Sequence, residues 1–316
     1  MHILFCGDTF ASARAMLRER LAHAPADTLT VWPHPDAPLP VHRADVVVPL
    51  MFQITGAVMD ATQCRLIHQW GSGLEGVDLA AARARGIWVA SVPATGSNAD
   101  SVAEHCLLLI LALLRRLPEA LANARSGVLG TPVGLMLAGR TVCLYGLGAT
   151  ALSLARRLQP FGVRLLGITR DPGVSKVAAF SLDRCYASDQ RDDCLSQTDV
   201  LVLCSRLCAE TRGMIDAPAL AALRPGAILV NAARGALVDY AALYDALSSR
   251  RLAGAALDVF WQEPIAPDDR LLTLPNIIAT PHVAGVTDRS YAAIADVFVA
   301  NIERLRCGEP PANRAV

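Results

Sequence analysis

The sequence predicts an α/β protein with two doubly wound parallel sheets. Short apolar runs alternate with longer helical patterns along the whole 316-residue chain, as in repeated strand–helix–strand units. The composition, 53% hydrophobic and 18% charged, is typical of parallel strands that are buried on both faces. Because the chain is longer than most single hydrophobic cores allow, we expect two domains.

The predicted strands form two series, one for each domain. The first series comprises Ile3–Cys6, Thr28–Trp32, Asp45–Leu50, Leu66–Gln69 and Trp88–Ser91. The second comprises Thr141–Tyr145, Arg164–Thr169, Val200–Cys204, Ala227–Asn231, Gly254–Asp258 and Ile277–Thr280. A long helix is expected to begin near Asn98, with Glu104 early and arginines at its end, as the helix dipole favours.

The last helix decides how the domains are divided along the chain. It is expected over Val286–Arg306, after the second series of strands. If this helix returns to the first domain, residues 1–97 and 285–316 form one domain, and residues 98–284 form the other.

Composition argues against several functional classes. The chain has 29 basic and 29 acidic side chains and no basic block, so we expect no binding of nucleic acid or of an anionic membrane. The longest apolar run, Cys106–Leu114, is far short of the roughly 20 residues that span a bilayer and predicts a buried helix. The nine cysteines form no Cys-x-x-Cys pair, so we expect no metal site. No signal-peptide pattern precedes the first strand, and a cytoplasmic location is expected.

A glycine-rich turn follows the first strand of the second series. The pattern G-x-G-x-x-A lies between that strand and an amphipathic helix, and the strand Arg164–Thr169 comes next, as in a dinucleotide-binding unit. The two glycines permit a tight turn and let backbone amides approach a pyrophosphate, and Ala151 permits close helix packing. The alternative is an accidental glycine-rich loop. The predicted cofactor contacts on this turn are Gly146, Leu147, Gly148, Ala149 and Thr150.

The residues after the next strand bear on the choice of cofactor. An acid at this position usually binds the ribose 2′-hydroxyl of NAD, whereas an arginine accommodates the 2′-phosphate of NADP. Here Thr169 and Arg170 come first, and Asp171 comes one residue later than the usual acid. We therefore predict that Thr169 and Arg170 contact the cofactor and that NADP is preferred to NAD. The alternative is that Arg170 is an ordinary solvated arginine.

Three reactive side chains follow the carboxyl ends of three later strands. They are Arg234, Glu263 and His282. Ligands of open α/β sheets bind at these ends, so we expect the three groups to converge. A guanidinium holds a carboxylate bidentately and polarises the adjacent ketone, and an imidazole backed by a carboxylate exchanges the hydroxyl proton. Taken singly, each has an ordinary alternative: a surface charge, a loop carboxylate and a histidine bonded to backbone.

Together, these motifs carry a family resemblance. Through GLGATA, VNAARGALVD, GAALDVFWQEP and TPHVAG, in this order, the chain resembles the D-isomer-specific 2-hydroxyacid dehydrogenases along nearly its whole length. The resemblance implies a Rossmann cofactor domain inserted into a flavodoxin-like substrate domain. It implies hydride transfer between a nicotinamide and a small 2-keto or 2-hydroxy acid. Arg234 would bind the carboxylate, and His282 with Glu263 would be the acid/base pair.

The resemblance implies further contacts. Asp258 would meet the nicotinamide carboxamide, or else be a capping or loop acid. Ser72 and Gly73 would bind the substrate carboxylate through backbone amides, or else belong to an ordinary glycine turn. Asn98 would lie near the nicotinamide, or else cap its helix. Ala233 is the remaining predicted cofactor contact, and His105 is interpreted as a packed structural histidine.

The loop after the third strand bears on the substrate. It is expected to face the cleft between the domains, where Met51 and Phe52 offer apolar side chains without a cation. A phosphorylated substrate is therefore disfavoured, and glyoxylate or hydroxypyruvate is preferred. Because the sequence ends at Val316, we also expect it to lack the regulatory module of some phosphoglycerate-oxidising relatives. If Met51 and Phe52 are core residues instead, a bulkier acid stays open.

One stretch departs from the family pattern. Ser205–Cys208 replaces a stretch that normally contains Pro and Thr in the family, and the role of Arg206 in it is open. The resemblance suggests a homodimer formed through the long linking helix. A nucleotide-sensing corepressor and a non-catalytic relative of the same fold are the competing hypotheses, although the chain retains all three reactive groups.

Overall fold

The computed structural model describes residues 1–22, 26–93 and 96–316, which divide into two compact units. Met1–Asn98 and Thr287–Val316 form the first unit, and Ala99–Val286 forms the second. The second unit is therefore inserted into the sequence of the first.

The first unit is built on a parallel sheet. Its strands are β1 His2–Cys6, β2 Thr28–Trp32, β3 Val46–Val48, β4 Leu66–His68 and β5 Trp88–Ala90. Its helices are α1 Ala11–Leu21, α2 Gly56–Thr62, α3 Leu79–Ala84 and the C-terminal α11 Asp288–Arg306. The strand order is β2-β1-β3-β4-β5, the flavodoxin-like order. All five strands overlap the predicted runs, and the three consecutive residues of β3 are all buried, as parallel pairing on both sides requires.

The second unit is built on a larger parallel sheet. Its strands are β6 Thr141–Tyr145, β7 Arg164–Thr169, β8 Arg184–Ala187, β9 Val200–Leu203, β10 Ala227–Asn231, β11 Leu252–Leu257 and β12 Ile277–Ala279. Its helices are α4 Ser97–Leu114, which begins in the first unit, α5 Leu117–Arg125, α6 Ala149–Leu158, α7 Val174–Phe180, α8 Arg191–Leu195, α9 Ala217–Ala222 and α10 Tyr240–Ser248. The strand order is β12-β11-β10-β9-β6-β7-β8, so the chain order reverses at β6.

Helices cover both faces of this sheet. Alternate side chains of β6 point to opposite faces: Cys143 and Tyr145 pack in one core with α8, α9 and α10, and Val142 and Leu144 in another with α4 and α6. The predicted fold class, two doubly wound parallel sheets, is confirmed.

Two local expectations were wrong. Strand β8 was not predicted, because it is an edge strand with exposed Arg184 and half-buried Cys185 instead of an apolar run. Helix α4 ends at Leu114, so no arginine lies in its last turn. Arg116 instead adopts a left-handed conformation, with φ of 50°, immediately before α5.

Helix α4 is long and apolar enough to cross a membrane by length and composition alone, with 18 residues and a mean hydropathy of 1.3. Cys106, Leu109 and Ile110 nevertheless pack in the core of the second unit with α6 and β6. The apolar run of this helix therefore forms core, as predicted for Cys106–Leu114.

A buried polar network stabilises the first unit. His68, at the end of β4, is fully buried, and its Nδ1 donates to the Gln69 carbonyl at 3.0 Å. Its Nε2 accepts from the Asn301 amide of α11 at 2.8 Å, and the Asn301 oxygen accepts from the amide of Ala312 at 2.7 Å. Burial lowers the pKa of His68 to about 4, so the ring is neutral near pH 7.

Candidate active site

Three neighbouring strands bring the predicted reactive residues to one edge of the second sheet. Arg234 follows β10, Glu263 follows β11 and His282 follows β12. Asn231 pairs with Leu257, which in turn pairs with Ala279, so the three strands end at the same level. The loops that carry the guanidinium, the carboxylate and the imidazole therefore begin side by side.

The carboxylate and the imidazole form a close pair. Glu263 Oε2 lies 2.6 Å from His282 Nδ1, and Glu263 Oε1 accepts from the backbone amide of Phe260 at 2.9 Å. The Glu263 side chain is 11% exposed and the His282 side chain 29%. Because Glu263 engages Nδ1, Nε2 is the ring nitrogen that would exchange a proton with a substrate.

His282 has an unusual backbone conformation. Its φ of 54° lies in the left-handed region, which costs a residue with a Cβ about 1 kcal/mol. The His282 amide donates to the carbonyls of Asp258 at 2.9 Å and Thr280 at 3.0 Å, which holds this conformation in place. Such local strain is common at functional sites.

The buried carboxylate of Asp258 organises the loop around His282. Its Oδ1 accepts from the Thr280 hydroxyl at 2.6 Å and the Val283 amide at 2.9 Å, and its Oδ2 accepts from the Ala284 amide at 2.8 Å. Burial raises the pKa of Asp258, but hydrogen bonds, first from His105 and then from these donors, outweigh it and hold the pKa below its usual value. These bonds make Asp258 a loop acid; its contact with a nicotinamide carboxamide stays a prediction.

Arg234 lies on a tightly held turn. The Asn231 side chain donates to the Arg234 carbonyl at 2.8 Å and accepts from the Ala233 amide at 3.0 Å, while Arg234 Nη1 donates to the Ala233 carbonyl at 2.6 Å. A Cβ on Gly235 would lie 2.2 Å from the Phe260 carbonyl carbon. The arginine loop therefore lies directly against the loop that leads to Glu263, and only glycine fits there.

The glycine-rich turn has the shape that a pyrophosphate requires. Gly146 has φ of 97°, and a Cβ on it would lie 2.6 Å from the Ser205 amide nitrogen. Gly148 precedes the ten-residue helix α6 and leaves it without a side-chain cap, and a Cβ on Gly148 would meet no heavy atom within 4 Å beyond its chain neighbours. Open space beside helix N-terminal amides fits a dinucleotide phosphate, which Ala149 and Thr150 at the start of α6 would hold. The side chain of Leu147 is buried.

The loops beside this turn carry the residues relevant to cofactor choice. Arg170, after β7, has a side chain 92% exposed and contacts Asp171 at 3.4 Å. Arg206, after β9, is also exposed. Since β7 and β9 flank β6, the two arginines follow the strands on either side of the glycine turn. The Ser205 hydroxyl donates to the Tyr145 carbonyl at 3.0 Å and so anchors the unusual Ser205–Cys208 stretch to β6.

In the first unit, a residue that the sequence did not single out joins the two predicted substrate loops. Gln69 Oε1 accepts from the amides of Leu50 and Trp70, both at 3.0 Å, and its Nε2 donates to the Leu50 carbonyl at 2.9 Å. Gln69 therefore ties the loop after β3 to the loop of exposed Ser72 and half-buried Gly73. The only signal for it was a polar residue at the end of an apolar strand.

The expectation for Phe52 requires correction. Its side chain is 8% exposed and packs edge-on against Trp32, with ring centroids 5.2 Å apart, in the core of the first unit. Phe52 is therefore a core residue, which was the open alternative, while Met51 is 44% exposed.

Two helical residues differ from their sequence interpretation. Asn98 is the second residue of α4, so it does not occupy the capping position, and its oxygen accepts from the Ser290 hydroxyl at 3.3 Å. His105 does not merely pack: its Nε2 lies 3.0 Å from the Thr280 hydroxyl oxygen. Half-buried Thr169 and Ala233 remain predicted cofactor contacts.

The cysteines differ in burial. Cys6, Cys64, Cys106, Cys143 and Cys194 are buried, whereas Cys208 and Cys307 are exposed. Within residues 1–22, 26–93 and 96–316, no group of three or more His, Cys, Asp or Glu side chains is arranged to hold a metal ion.

Comparison with known proteins places this chain in a family. The family model described as "D-isomer specific 2-hydroxyacid dehydrogenase, NAD binding domain" matches residues 107–284. Glyoxylate reductase of Korarchaeum cryptofilum is 33% identical over 289 residues, 86% of this chain and 83% of that protein. The NADPH-dependent glyoxylate/hydroxypyruvate reductase of Sinorhizobium meliloti, solved with NADP and malonate, is 30% identical with a TM-score of 0.85, covering 100% of this chain and 96% of that one.

Longer relatives are also similar. D-3-phosphoglycerate dehydrogenase of Archaeoglobus fulgidus is 33% identical over 271 residues, 85% of this chain but 50% of that protein. The chain thus spans about half the length of the phosphoglycerate dehydrogenases that it matches. The family model covers more than half of the chain, and the matched range, residues 107–284, includes β6, β10, β11 and β12. The chain belongs to the D-isomer-specific 2-hydroxyacid dehydrogenase family.

Proposed function

We propose that this chain is an NAD(P)-dependent oxidoreductase that transfers hydride between a nicotinamide and carbon 2 of a small 2-keto or 2-hydroxy acid. The observation that carries the proposal is the 2.6 Å contact between Glu263 and His282, on a sheet edge where the Arg234 loop begins beside them. Family membership supports it, as does the open, uncapped glycine turn after β6. When bound, the nicotinamide supplies the hydride.

The reactive side chains have complementary tasks. Arg234 binds the substrate carboxylate and polarises the adjacent carbonyl. His282 Nε2 gives its proton to the carbonyl oxygen during reduction and removes it during oxidation. Glu263 fixes the imidazole and stabilises its positive charge. Ser72 and Gly73 remain predicted carboxylate contacts of the first unit, and Asn98 and Asp258 remain predicted nicotinamide contacts.

NADP is the proposed cofactor, with NAD as the alternative. The side chain of Arg170, directly after β7, is 92% exposed and so accessible to a 2′-phosphate. The Sinorhizobium relative, named as NADPH-dependent, also supports NADP. Asp171 beside it is 85% exposed and favours the ribose hydroxyls of NAD.

Replacement of Arg170 tests this proposal. We expect Arg170→Asp to shift the ratio of kcat/KM for NADPH over NADH toward NADH by about tenfold or more, because a phosphate partner is replaced by a like charge. Arg170→Ala is the matched variant, which removes the partner without adding repulsion and should give a smaller shift in the same direction. An unchanged ratio in both variants would contradict the assignment.

A short acid such as glyoxylate or hydroxypyruvate is the proposed substrate. Two relatives are named for these acids, and the loop after β3 carries exposed Met51 without a cation for a phosphate. The D-3-phosphoglycerate dehydrogenase of Archaeoglobus fulgidus is equally similar to this chain, at 33% sequence identity. The keto acid formed by oxidation of 3-phosphoglycerate, 3-phosphohydroxypyruvate, is therefore the second candidate. A panel of these three keto acids with NADPH and NADH separates the candidates. Binding of NADPH without turnover of any keto acid would instead favour a corepressor or a non-catalytic relative.

We also propose a homodimer. Large apolar side chains on and after α5 are exposed: Leu121 by 49%, Leu129 by 91%, Val133 by 83% and Met136 by 76%. Exposed apolar side chains concentrated in one segment favour an interface there, and a second copy of the chain is the proposed partner. We expect light scattering to give twice the 33.5 kDa chain mass, and Leu129→Asp with Val133→Asp to yield monomers. Val174→Asp, on an exposed residue of α7, is the control, and a monomeric wild type would contradict the proposal.

A cytoplasmic location remains a proposal. All nine cysteines are free thiols, which is in keeping with a reducing compartment. Neither nucleic acid nor membrane is a proposed partner, since positive and negative charges balance.

A further inference from the structure

His105 is not among the residues that carry the proposed chemistry. It nevertheless contacts two residues that hold the loop of His282 in place. It sits on α4, and its side chain is 14% exposed. Its Nε2 lies 3.0 Å from the Thr280 hydroxyl oxygen and 3.5 Å from Asp258 Oδ1. Both of these residues belong to the network that holds the loop of His282.

The chemistry of the three groups fixes the direction of their hydrogen bonds. The carboxylate of Asp258 accepts from two backbone amides, and hydrogen bonds hold its pKa low, so it is ionised and only accepts. The Thr280 hydroxyl has one hydrogen, and it lies 2.6 Å from Asp258 Oδ1. That hydrogen goes to Asp258, so the hydroxyl oxygen accepts from His105. His105 therefore carries its proton on Nε2 and donates it.

A second residue of α4 holds the same loop. The Ser101 hydroxyl donates to the Ala284 carbonyl at 2.6 Å. Ser101 and His105 are four residues apart, so they lie on the same face of the helix. The two ends of the segment from Thr280 to Ala284 are thus both bonded to one face of α4, and His282 lies between them with its left-handed φ of 54°.

We propose that His105 is a positioning residue that donates from Nε2 through the Thr280 hydroxyl to Asp258 and thereby fixes the loop that presents His282 to the substrate. This role rests on the proposed function for its kinetic consequence. The hydrogen-bond chain itself lies wholly within Ala99–Val286 and has a consequence for the protein without substrate.

Paired variants test the donor. His105→Leu fills the site but cannot donate, whereas His105→Gln places an amide N–H near the position of Nε2. We expect His105→Leu to lower kcat about tenfold with the KM for NADPH within about twofold of wild type, because the loop and not the cofactor turn is affected. We expect the amides of Val283 and Ala284, which donate to Asp258, to exchange hydrogen about tenfold faster in this variant. His105→Gln should recover most of both losses.

Variants of the hydroxyl give an independent test should His105→Leu fail to fold. Thr280→Val should reproduce the slower turnover and faster amide exchange, Thr280→Ser should not, and Thr280→Val combined with His105→Leu should be no worse than the poorer single variant. The proposal is overturned if His105→Leu retains wild-type kcat and amide protection, or if His105→Gln is as impaired as His105→Leu. If the wild type turns over no keto acid, the proposed function fails, and the amide exchange alone still decides the role of His105.

Discussion

Two histidines, one in each unit, show how a partner and solvent access decide what an imidazole does. His282 has a carboxylate partner at 2.6 Å, and its side chain is 29% exposed. His68 has a backbone carbonyl and an amide as partners and is fully buried. The first arrangement sets the ring beside an acidic side chain where ligands can reach it, whereas the second holds a neutral ring that ligands cannot reach. The same residue type is therefore suited to proton transfer at one site and to stability at the other.

The largest effect is expected from the pH dependence of stability. The pKa of His68 is about 4 in the folded chain and about 6.5 when unfolded, so the unfolded state binds more protons between these values. The stability from neutral His68 is fully present above pH 6.5 and is lost as the pH falls toward 4. We expect a loss of about 3 kcal/mol in the free energy of unfolding between pH 7.5 and 4, measured by urea denaturation.

The matched variant for this experiment is His68→Leu, which cannot titrate. It should lose less stability over the same pH range than the wild type does, even if it is less stable at pH 7.5. Equal losses in the two proteins would show that other groups cause the acid sensitivity.

The next prediction removes the charge from the partner of His282. We expect Glu263→Gln to lower kcat for keto-acid reduction about 100-fold, because an amide does not stabilise a charged imidazole as a carboxylate does. Steady-state kinetics under saturating NADPH measures this. Glu309→Gln, an exposed carboxylate outside the site, is the control and should retain wild-type activity. Full activity in Glu263→Gln would show that the carboxylate partner is not what distinguishes the role of His282 from that of His68.

A smaller effect is expected when His68 receives a carboxylate. Asn301→Asp replaces the amide donor to Nε2 by an acceptor, so either the ring or the acid must take up a proton. We expect the free energy of unfolding at pH 7.5 to fall by about 2 kcal/mol, because a buried hydrogen bond is replaced by a buried charge. The loss of stability on acidification should shrink as well. A variant as stable as the wild type, with unchanged pH dependence, would show that the partner does not control His68.

Local features of the sequence predicted most of the fold and singled out the candidate reactive residues. Apolar runs indicated eleven of the twelve strands in the part of the chain that the structure describes, because burial on both faces makes a parallel strand apolar over its whole length. Strand ends indicated Arg234, Glu263 and His282, because ligands of open α/β sheets bind there. The edge strand β8 was missed, since it lacks a continuous apolar run.

Tertiary contacts could not be predicted in the same way. Phe52 was expected to face a substrate because it follows a strand, but its packing depends on Trp32, which is distant in sequence. The bonds of His105 to Thr280 and of Gln69 to Leu50 join residues 175 and 19 positions apart. Only the assembled fold shows that these residues support the candidate site.

The central claim is that His282, oriented by Glu263, is the proton donor in keto-acid reduction. The most direct measurement is the single-turnover rate of NADPH oxidation by the preferred keto acid in His282→Ala, together with the Kd of NADPH. His34→Ala, on an exposed histidine elsewhere, is the control. The account predicts a rate at least about 100-fold slower with the Kd within about twofold of wild type. A rate close to that of the wild type would contradict it.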